Sequence, residues 1–253
     1  MEAKLVSDRP NLLIDVGNTQ LKYTWFKHSQ TFDNLQNTII ARELLATLLH
    51  DKPKVFICSV KSEEITGAII EQLKQAGVQY CLAETKATEF GIKNSYQTLT
   101  NMGSDRWMAM LGADAIADND IVVIDAGTAI TCDFIVNKQH LGGWIAPGLE
   151  MLRRAVVSNT HRVFDFKDII PQLSPGQDTA NCVANGAIAQ IVGMIMQAIT
   201  LMQKQSMRFN VVITGGDRDI IAQKLQENAV DIVMHKNLVL VGLARLSMKK
   251  MAK

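Results

Sequence analysis

Two carboxylates stand at matching places in this sequence. Asp15 closes the apolar run Leu12-Leu13-Ile14 and is followed by Val16-Gly17-Asn18-Thr19, while Asp125 closes Ile121-Val122-Val123-Ile124 and is followed by Ala126-Gly127-Thr128. A second run follows each turn, with apolar residues at alternate positions: Leu21, Tyr23 and Trp25 in one, Ile130, Cys132 and Phe134 in the other. Period-two alternation on both sides of a glycine turn predicts strand, turn, strand, with an acid at the turn. Glycine lets the backbone approach a ligand closely, and the amides and hydroxyls beside it suit phosphate oxygens. One such turn in each half predicts a duplicated scaffold that grips a polyphosphate from both sides. A third polar glycine turn, Thr214-Gly215-Gly216-Asp217, ends the apolar run Val211-Val212-Ile213.

The commoner nucleotide patterns, G-x-x-x-x-G-K-[ST] and G-x-G-x-x-G, are absent. One Asp-Gly turn after a strand is ordinary turn chemistry, so repetition carries the argument. Asp105 stands beside Arg106 at the expected start of a helix, and two readings of it stay open. Ser104 or Asp105 caps that helix, or Asp105 is the carboxylate that phosphoryl transfer uses to take a hydroxyl proton. Arg106 pairs with an anionic substrate group or with a surface acid. Lys22 is either a phosphate contact or an exposed strand lysine, and Asp133 either works or ends a hairpin. Read alone, Tyr96 is a half-buried loop tyrosine and Thr179 the N-cap of a long apolar helix. Arg153, Arg154 and Arg162 read as a solvated face. The histidines, His28, His50, His140, His161 and His235, have no metal-ligand spacing.

The elements that must position these residues alternate between strand and helix. Before Asp105 the pattern predicts helices over 41–50 and 63–76, strands over 54–60 and 78–82, and a loop-rich stretch over 85–100. A helix over 105–117 closes the first half. After Asp125 it predicts a glycine-rich loop over 141–148, a helix over 150–157, a loop over 164–176 and a long helix over 180–202. A strand at 210–213, a helix over 220–227, a short strand at 232–234 and a closing helix over 237–248 complete the second half. Alternation in both halves indicates an α/β protein, divided at 11–117 and 118–253. The chain has 253 residues, 47% apolar, with 26 basic and 25 acidic side chains. A formal charge of +1 argues against a nucleic-acid groove or a polybasic membrane patch. The first residues are too polar for a signal peptide. Cys58, Cys81, Cys132 and Cys182 form no Cys-x-x-Cys pair, which favours unpaired thiols in a reducing compartment. The apolar stretch 186–202 is interrupted by Gln190 and Gln197 and has no basic flank at its start, so a core or interface helix is expected rather than a membrane span.

Five segments occur together in the order seen in type III pantothenate kinases: Asp15-Val-Gly-Asn-Thr-Gln-Leu-Lys22, Gly103-Ser-Asp-Arg106, Asp125-Ala-Gly-Thr-Ala-Ile-Thr-Cys-Asp133, Gly142-Gly-Trp-Ile-Ala-Pro-Gly148 and Thr214-Gly-Gly-Asp217. The chain resembles that family over nearly its whole length. The resemblance implies two related actin-like (ribonuclease H-like) α/β domains with a nucleotide cleft between them, in a cytoplasmic homodimer. It implies ATP-dependent phosphorylation of pantothenate at its primary hydroxyl, the first step toward coenzyme A. Asp15, Val16, Gly17, Asn18, Thr19, Gln20, Leu21 and Lys22 would contact ATP, with Asp15 near Mg2+, and Thr128 would be a further ATP contact. Asp125 would hold a monovalent cation, K+ or NH4+. Asp105 would accept the proton, and Tyr96, Gly103, Ser104, Asp105, Arg106 and Thr179 would bind pantothenate. The family usually carries Ala or another residue where Ser104 stands. Two alternatives remain: another small-molecule kinase of the same fold, and a non-catalytic regulatory relative.

Overall fold

The computed structural model describes residues 9–32, 35–41, 45–158 and 169–251. Met1 to Asp8 of the polar lead-in, residues 42–44 of the helix expected over 41–50, and His161, Arg162 and Phe164 lie outside the described residues. The chain divides into two compact units, Met1–Asp118 with Asn237–Lys253, and Asn119–Lys236.

The first unit opens with β1 (Asn11–Val16) and β2 (Leu21–Phe26), the expected hairpin, paired so that Asp15 stands opposite Lys22. β3 (Thr38–Ile40), the short helix α1 (Leu45–Leu48), β4 (Val55–Ser59), α2 (Glu63–Gln75) and β5 (Tyr80–Leu82) follow. The sheet order is β3-β2-β1-β4-β5, with β2 antiparallel to both its neighbours and β4 parallel to both of its own. Leu12, Ile14, Val16, Val55 and Ile57 turn one face toward Leu45 of α1 and Ile69 and Leu73 of α2. Strand alternation puts Leu13, Asp15, Phe56 and Cys58 on the other face. Ser62 caps α2 through its side chain, and Gly77, at φ 64°, stops the chain from continuing as helix.

The stretch expected as loop holds a hairpin instead, β6 (Thr88–Glu89) and β7 (Ile92–Lys93), and a 3₁₀ turn at Leu99–Asn101. Its two-residue turn needs positive φ at Phe90 (50°) and Gly91 (84°). Phenylalanine is a strained choice there. The Arg245 guanidinium lies 4.2 Å from its ring centre and the Lys249 ammonium 5.3 Å, attractions that offset the strain. α3 (Ser104–Ile116) then ends the first stretch of this unit.

The second unit repeats the arrangement. β8 (Asp120–Ala126), β9 (Ala129–Val136) and β10 (Gln139–Pro147) are followed by α4 (Leu149–Ser158), α5 (Thr179–Gln205), β11 (Phe209–Thr214), α6 (Arg218–Gln226) and β12 (Val233–Met234). The strands run β10-β9-β8-β11-β12, with β9 antiparallel to both neighbours and β11 parallel to both of its own, the pattern of the first unit. The glycine-rich loop expected over 141–148 is therefore corrected to a strand. It pairs with β9 from Gly142 opposite Phe134 to Pro147 opposite Ala129, and one register shift between His140 and Gly142 absorbs the glycine's φ of 119°.

α5 is long and apolar enough to cross a membrane by length and composition, and half of its most apolar window is buried. Ile188, Ile191, Ile195, Ile199 and Met202, at helical spacing, pack with Val122, Ile124, Val211 and Ile213 in the core of the unit. Asp178, not Thr179, caps it: the Asp178 carboxylate accepts the Asn181 N–H at 2.8 Å, and Thr179 is the exposed first helical residue.

The expected second domain, 118–253, is corrected at its end. The closing helix α7 (Leu238–Met251) belongs to the first unit. The cause is a backbone-to-backbone crossing with α3. A Cβ on Gly112 would lie 2.2 Å from Leu238 O, and one on Gly242 would lie 2.2 Å from Met108 O. Only glycine at both places lets the helices meet so closely. Arg245 then donates to Asp114 at 2.8 Å and to the Leu111 carbonyl at 2.9 Å.

Candidate active site

In the first unit the candidate residues gather at the ends of β1, β4 and α3. Asp15 lies between Lys22 on β2 and Cys58 on β4, all on one face of the sheet. The Cys58 thiol is pushed well up, first by burial and then by the negative charge of Asp15; a hydrogen bond with Ser104 acts the other way, and the charge of Asp105 adds to the rise. Both carboxylates therefore act on one buried sulfur, although Asp15 and Asp105 sit on separate elements far apart in sequence. Asp15 and Asp105 are half-exposed, and Asp15 leads into the exposed turn residues Asn18, Thr19 and Gln20 of the β1–β2 hairpin, whose Gly17 N–H donates to Gln20 O at 3.0 Å.

The start of α3 is built to hold Asp105. Gly103, not Ser104 or Asp105, is the N-cap, and it makes no side-chain cap bond. Its missing Cβ leaves room for Asp105, whose Oδ1 would lie only 2.5 Å from such an atom. That carboxylate folds back to accept the Arg106 N–H at 2.7 Å, where the helix N-terminus also favours negative charge. Ser104 turns the opposite way. Its hydroxyl donates to the Ser59 carbonyl at 3.1 Å and lies 3.3 Å from Cys58 Sγ, so it pins α3 to the end of β4. Arg106 is 7% exposed. Its Nη1 donates to the Tyr96 hydroxyl at 2.9 Å, and its guanidinium lies 5.7 Å from the Tyr96 ring centre. Asn94 accepts the Tyr96 N–H at 2.9 Å and fixes the loop that carries the tyrosine. The loop tyrosine and Arg106 thus form one part-buried pair.

In the second unit, three segments close on the Asp125 turn. Gly148 donates its N–H to Thr128 O at 3.0 Å, and Asp217 donates its N–H to Ala126 O at 3.0 Å. A Cβ on Gly148 would lie 2.2 Å from Gly127 O, and one on Gly215 would lie 2.3 Å from Ala126 O. These glycines are required for the turn to be so tightly framed. Asp125 is half-buried, and Thr128 is exposed at the tip. Asp133, left open by the sequence, is buried with His140, whose Nε2 lies 3.1 Å from its Oδ1. Thr179 is in this unit, at the start of α5.

A family model described as Type III pantothenate kinase matches residues 11–201. The chain belongs to the type III pantothenate kinase family. A type III pantothenate kinase of Pseudoalteromonas atlantica is 32% identical, covering 94% of this chain and 98% of its own, and one of Marinobacter nauticus is 32% identical, covering 93% and 97%. A solved Campylobacter jejuni structure assigned to the Baf family of transcriptional activators has a TM-score of 0.60 at 23% identity, covering 96% of this chain and all of that one. Spiroplasma citri MreB5, solved with AMPPNP, has a TM-score of 0.52 at 12% identity, covering 96% and 97%. At these identities the two structures speak for the fold alone, and the fold is the two-domain actin-like α/β fold.

For this member of the pantothenate kinase family, the sequence alone does not reveal that Arg153 lies near Asp217 or that Cys58 lies beside Asp15 and Ser104. Arg153, expected on a solvated face, is 9% exposed, donates through Nη2 to Ile169 O at 3.2 Å, and lowers the pKa of Asp217 by its charge. Burial outweighs it, and Glu150 adds repulsion, so the Asp217 carboxyl sits above its usual range. The one available signal was the position of α4 directly after the glycines at 142–148. Arg154, by contrast, is exposed and pairs with Glu150 at 2.7 Å, as a solvated arginine does.

Proposed function

We propose that Asp105 is the proton acceptor in a kinase that transfers the γ-phosphoryl group of ATP to the primary hydroxyl of pantothenate. Phosphorylation of pantothenate with ATP is the first step of coenzyme A biosynthesis, and membership of the family assigns it to this chain. In the transfer, the substrate oxygen forms a bond to the γ-phosphorus and the bond from phosphorus to the leaving ADP oxygen breaks. The hydroxyl proton passes to the Asp105 carboxylate. Little else is asked of the protein than alignment and charge. The observation that carries this reading is the seating of the start of α3 against β4: Ser104 donates to the Ser59 carbonyl and lies against the Cys58 thiol, and Cys58 is the strand partner of Asp15, so Asp105 and Asp15 are brought to the same end of the sheet.

The remaining roles follow from the same reading. Asp15 through Lys22 and Thr128 contact the nucleotide. Arg106, held by Tyr96, meets the pantothenate carboxylate, with Gly103 and Thr179 as further substrate contacts; Ser104 serves by anchoring α3. Among the described residues no group of three His, Cys, Asp or Glu side chains could enclose a metal. Mg2+ needs no such cage, because one or two carboxylates complete a shell of waters and phosphate oxygens. Asp15, half-exposed at a strand end, fits that demand, and bound Mg2+ would neutralise phosphate charge. The Asp125 carboxylate, a hard oxygen donor at the second turn, suits K+ or NH4+. The enzyme is taken as a cytoplasmic homodimer.

Product analysis tests the reading. With ATP, Mg2+, K+ and pantothenate, ADP and phosphopantothenate should appear in equal amounts, and Na+ in place of K+ should lower the rate. No pantothenate product, with turnover of another alcohol or a sugar, would reassign the substrate; no turnover of any would favour a regulatory relative.

A further inference from the structure

Beyond the residues assigned above, we infer that Lys61 is a positioning residue for the phosphate turn: its ammonium fixes the Asn18–Thr19 peptide and adds positive charge beside the triphosphate. This rests on reading residues 15–22 as that turn.

Lys61 lies in the connection between β4 and α2, one residue before the helix cap Ser62. Its side chain crosses to the β1–β2 turn and donates from Nζ to the Asn18 carbonyl. Its main chain is held for that task. The Lys61 N–H faces Ser59 Oγ at 3.4 Å, Ser59 Oγ lies 2.8 Å from Thr66 Oγ1, and Thr66 Oγ1 faces the Lys61 carbonyl at 3.4 Å. Val60 donates its N–H to Val16 O at 3.3 Å, which joins the two connections directly. Among the described residues, the Lys61 ammonium has no carboxylate partner, and the Asn18 carbonyl is its one acceptor.

Two consequences follow. The Asn18–Thr19 peptide bond is trans, and in a trans peptide the C=O and the following N–H point in opposite directions. Holding the Asn18 carbonyl toward Lys61 therefore turns the Thr19 N–H the other way. A turn that recognises phosphate through backbone donors depends on that orientation being set before the ligand arrives. An ammonium has three donor hydrogens, and one bond to a neutral carbonyl leaves its full charge unneutralised. Lys22 differs, because it stands directly opposite Asp15 across the hairpin. Lys61 is thus the cation of the turn with no acid beside it.

Steady-state kinetics and ATP titration of K61M, K61Q and K61R test this, with a thermal melt of each variant. K61M should raise the KM for ATP about tenfold while kcat and the KM for pantothenate stay near wild type. Affinity for AMP, which lacks the outer phosphates, should not change. K61R should stay close to wild type and K61Q, which keeps a donor without the charge, should fall between. If K61M does not fold, the K61Q and K61R order decides alone. An unchanged KM for ATP in K61M overturns the inference, as does an equal loss of ATP and AMP affinity or an equal loss in all variants. Wild-type protein that binds no ATP would instead refute the phosphate-turn reading; active wild type with indifferent Lys61 variants refutes only the role of Lys61.

Discussion

Replacing Gly112 by alanine should loosen the seam that holds α3, and with it Asp105. The added Cβ would lie 2.2 Å from Leu238 O, 3.0 Å from Leu238 C and 3.1 Å from Gly242 N. A carbon meets a carbonyl oxygen at about 3.3–3.6 Å, so the helices must part by roughly 1 Å. Every obstructing atom is backbone, and no rotamer change relieves the clash. Overpacking of this kind costs about 1–3 kcal/mol, with rigid surroundings at the upper end. Parting α3 from α7 also stretches the bonds from Arg245 to Leu111 O and Asp114. Alanine returns about 1 kcal/mol through its helix preference, which leaves a net loss of about 2 kcal/mol. Gly67, in α2, is the control: nothing lies within 4 Å of its Cβ position. Gly67→Ala should gain about 0.5–1 kcal/mol. Urea unfolding followed by circular dichroism would measure both variants against wild type. A Gly112→Ala protein as stable as Gly67→Ala would refute the close crossing.

The thiols and one carboxylate give further tests. A thiol reagent on the native protein should label the exposed Cys182 and the half-buried Cys81 and spare the buried Cys58 and Cys132, whose thiols burial drives upward, to about 12 for Cys132; mass spectrometry of labelled peptides reads this directly. The Asp217 carboxyl is raised by burial, so the folded state holds its proton more tightly than the unfolded chain. The stability this gives is fully present below the unfolded value of 3.8 and is lost as pH rises from there through the higher folded value. Asp217→Asn should match wild type at pH 3 and gain on it by pH 6, as measured by melting across that range.

Much of this arrangement is legible in the sequence, and the remainder fails for physical reasons. The β1–β2 and β8–β9 hairpins announce themselves because alternating side chains and an Asp-x-Gly turn are both local. The 141–148 segment misleads because its glycines look like loop punctuation, whereas pairing with β9 holds them in a strand. Phe90-Gly91 hides a hairpin, since no local rule favours phenylalanine at positive φ; Arg245 and Lys249, far along the chain, supply the compensation. The return of α7 to the first unit depends on Gly112 meeting Gly242, a long-range fit that periodicity cannot express. Asp105 was legible as an acid at a helix start, but not the backward fold of its carboxylate or the anchoring by Ser104. Arg153 was misread because a charged residue beside Arg154 looks solvated until the fold buries it.

The measurement closest to the centre of this account is the separation of binding from turnover in Asp105→Asn. The asparagine keeps the shape of the side chain and can still accept the Arg106 N–H, but it cannot take a proton at working pH. Phosphopantothenate formation should fall by about 10²–10⁴-fold, with ATP affinity by calorimetry near that of wild type. Undiminished turnover would contradict it and remove Asp105 from the chemistry.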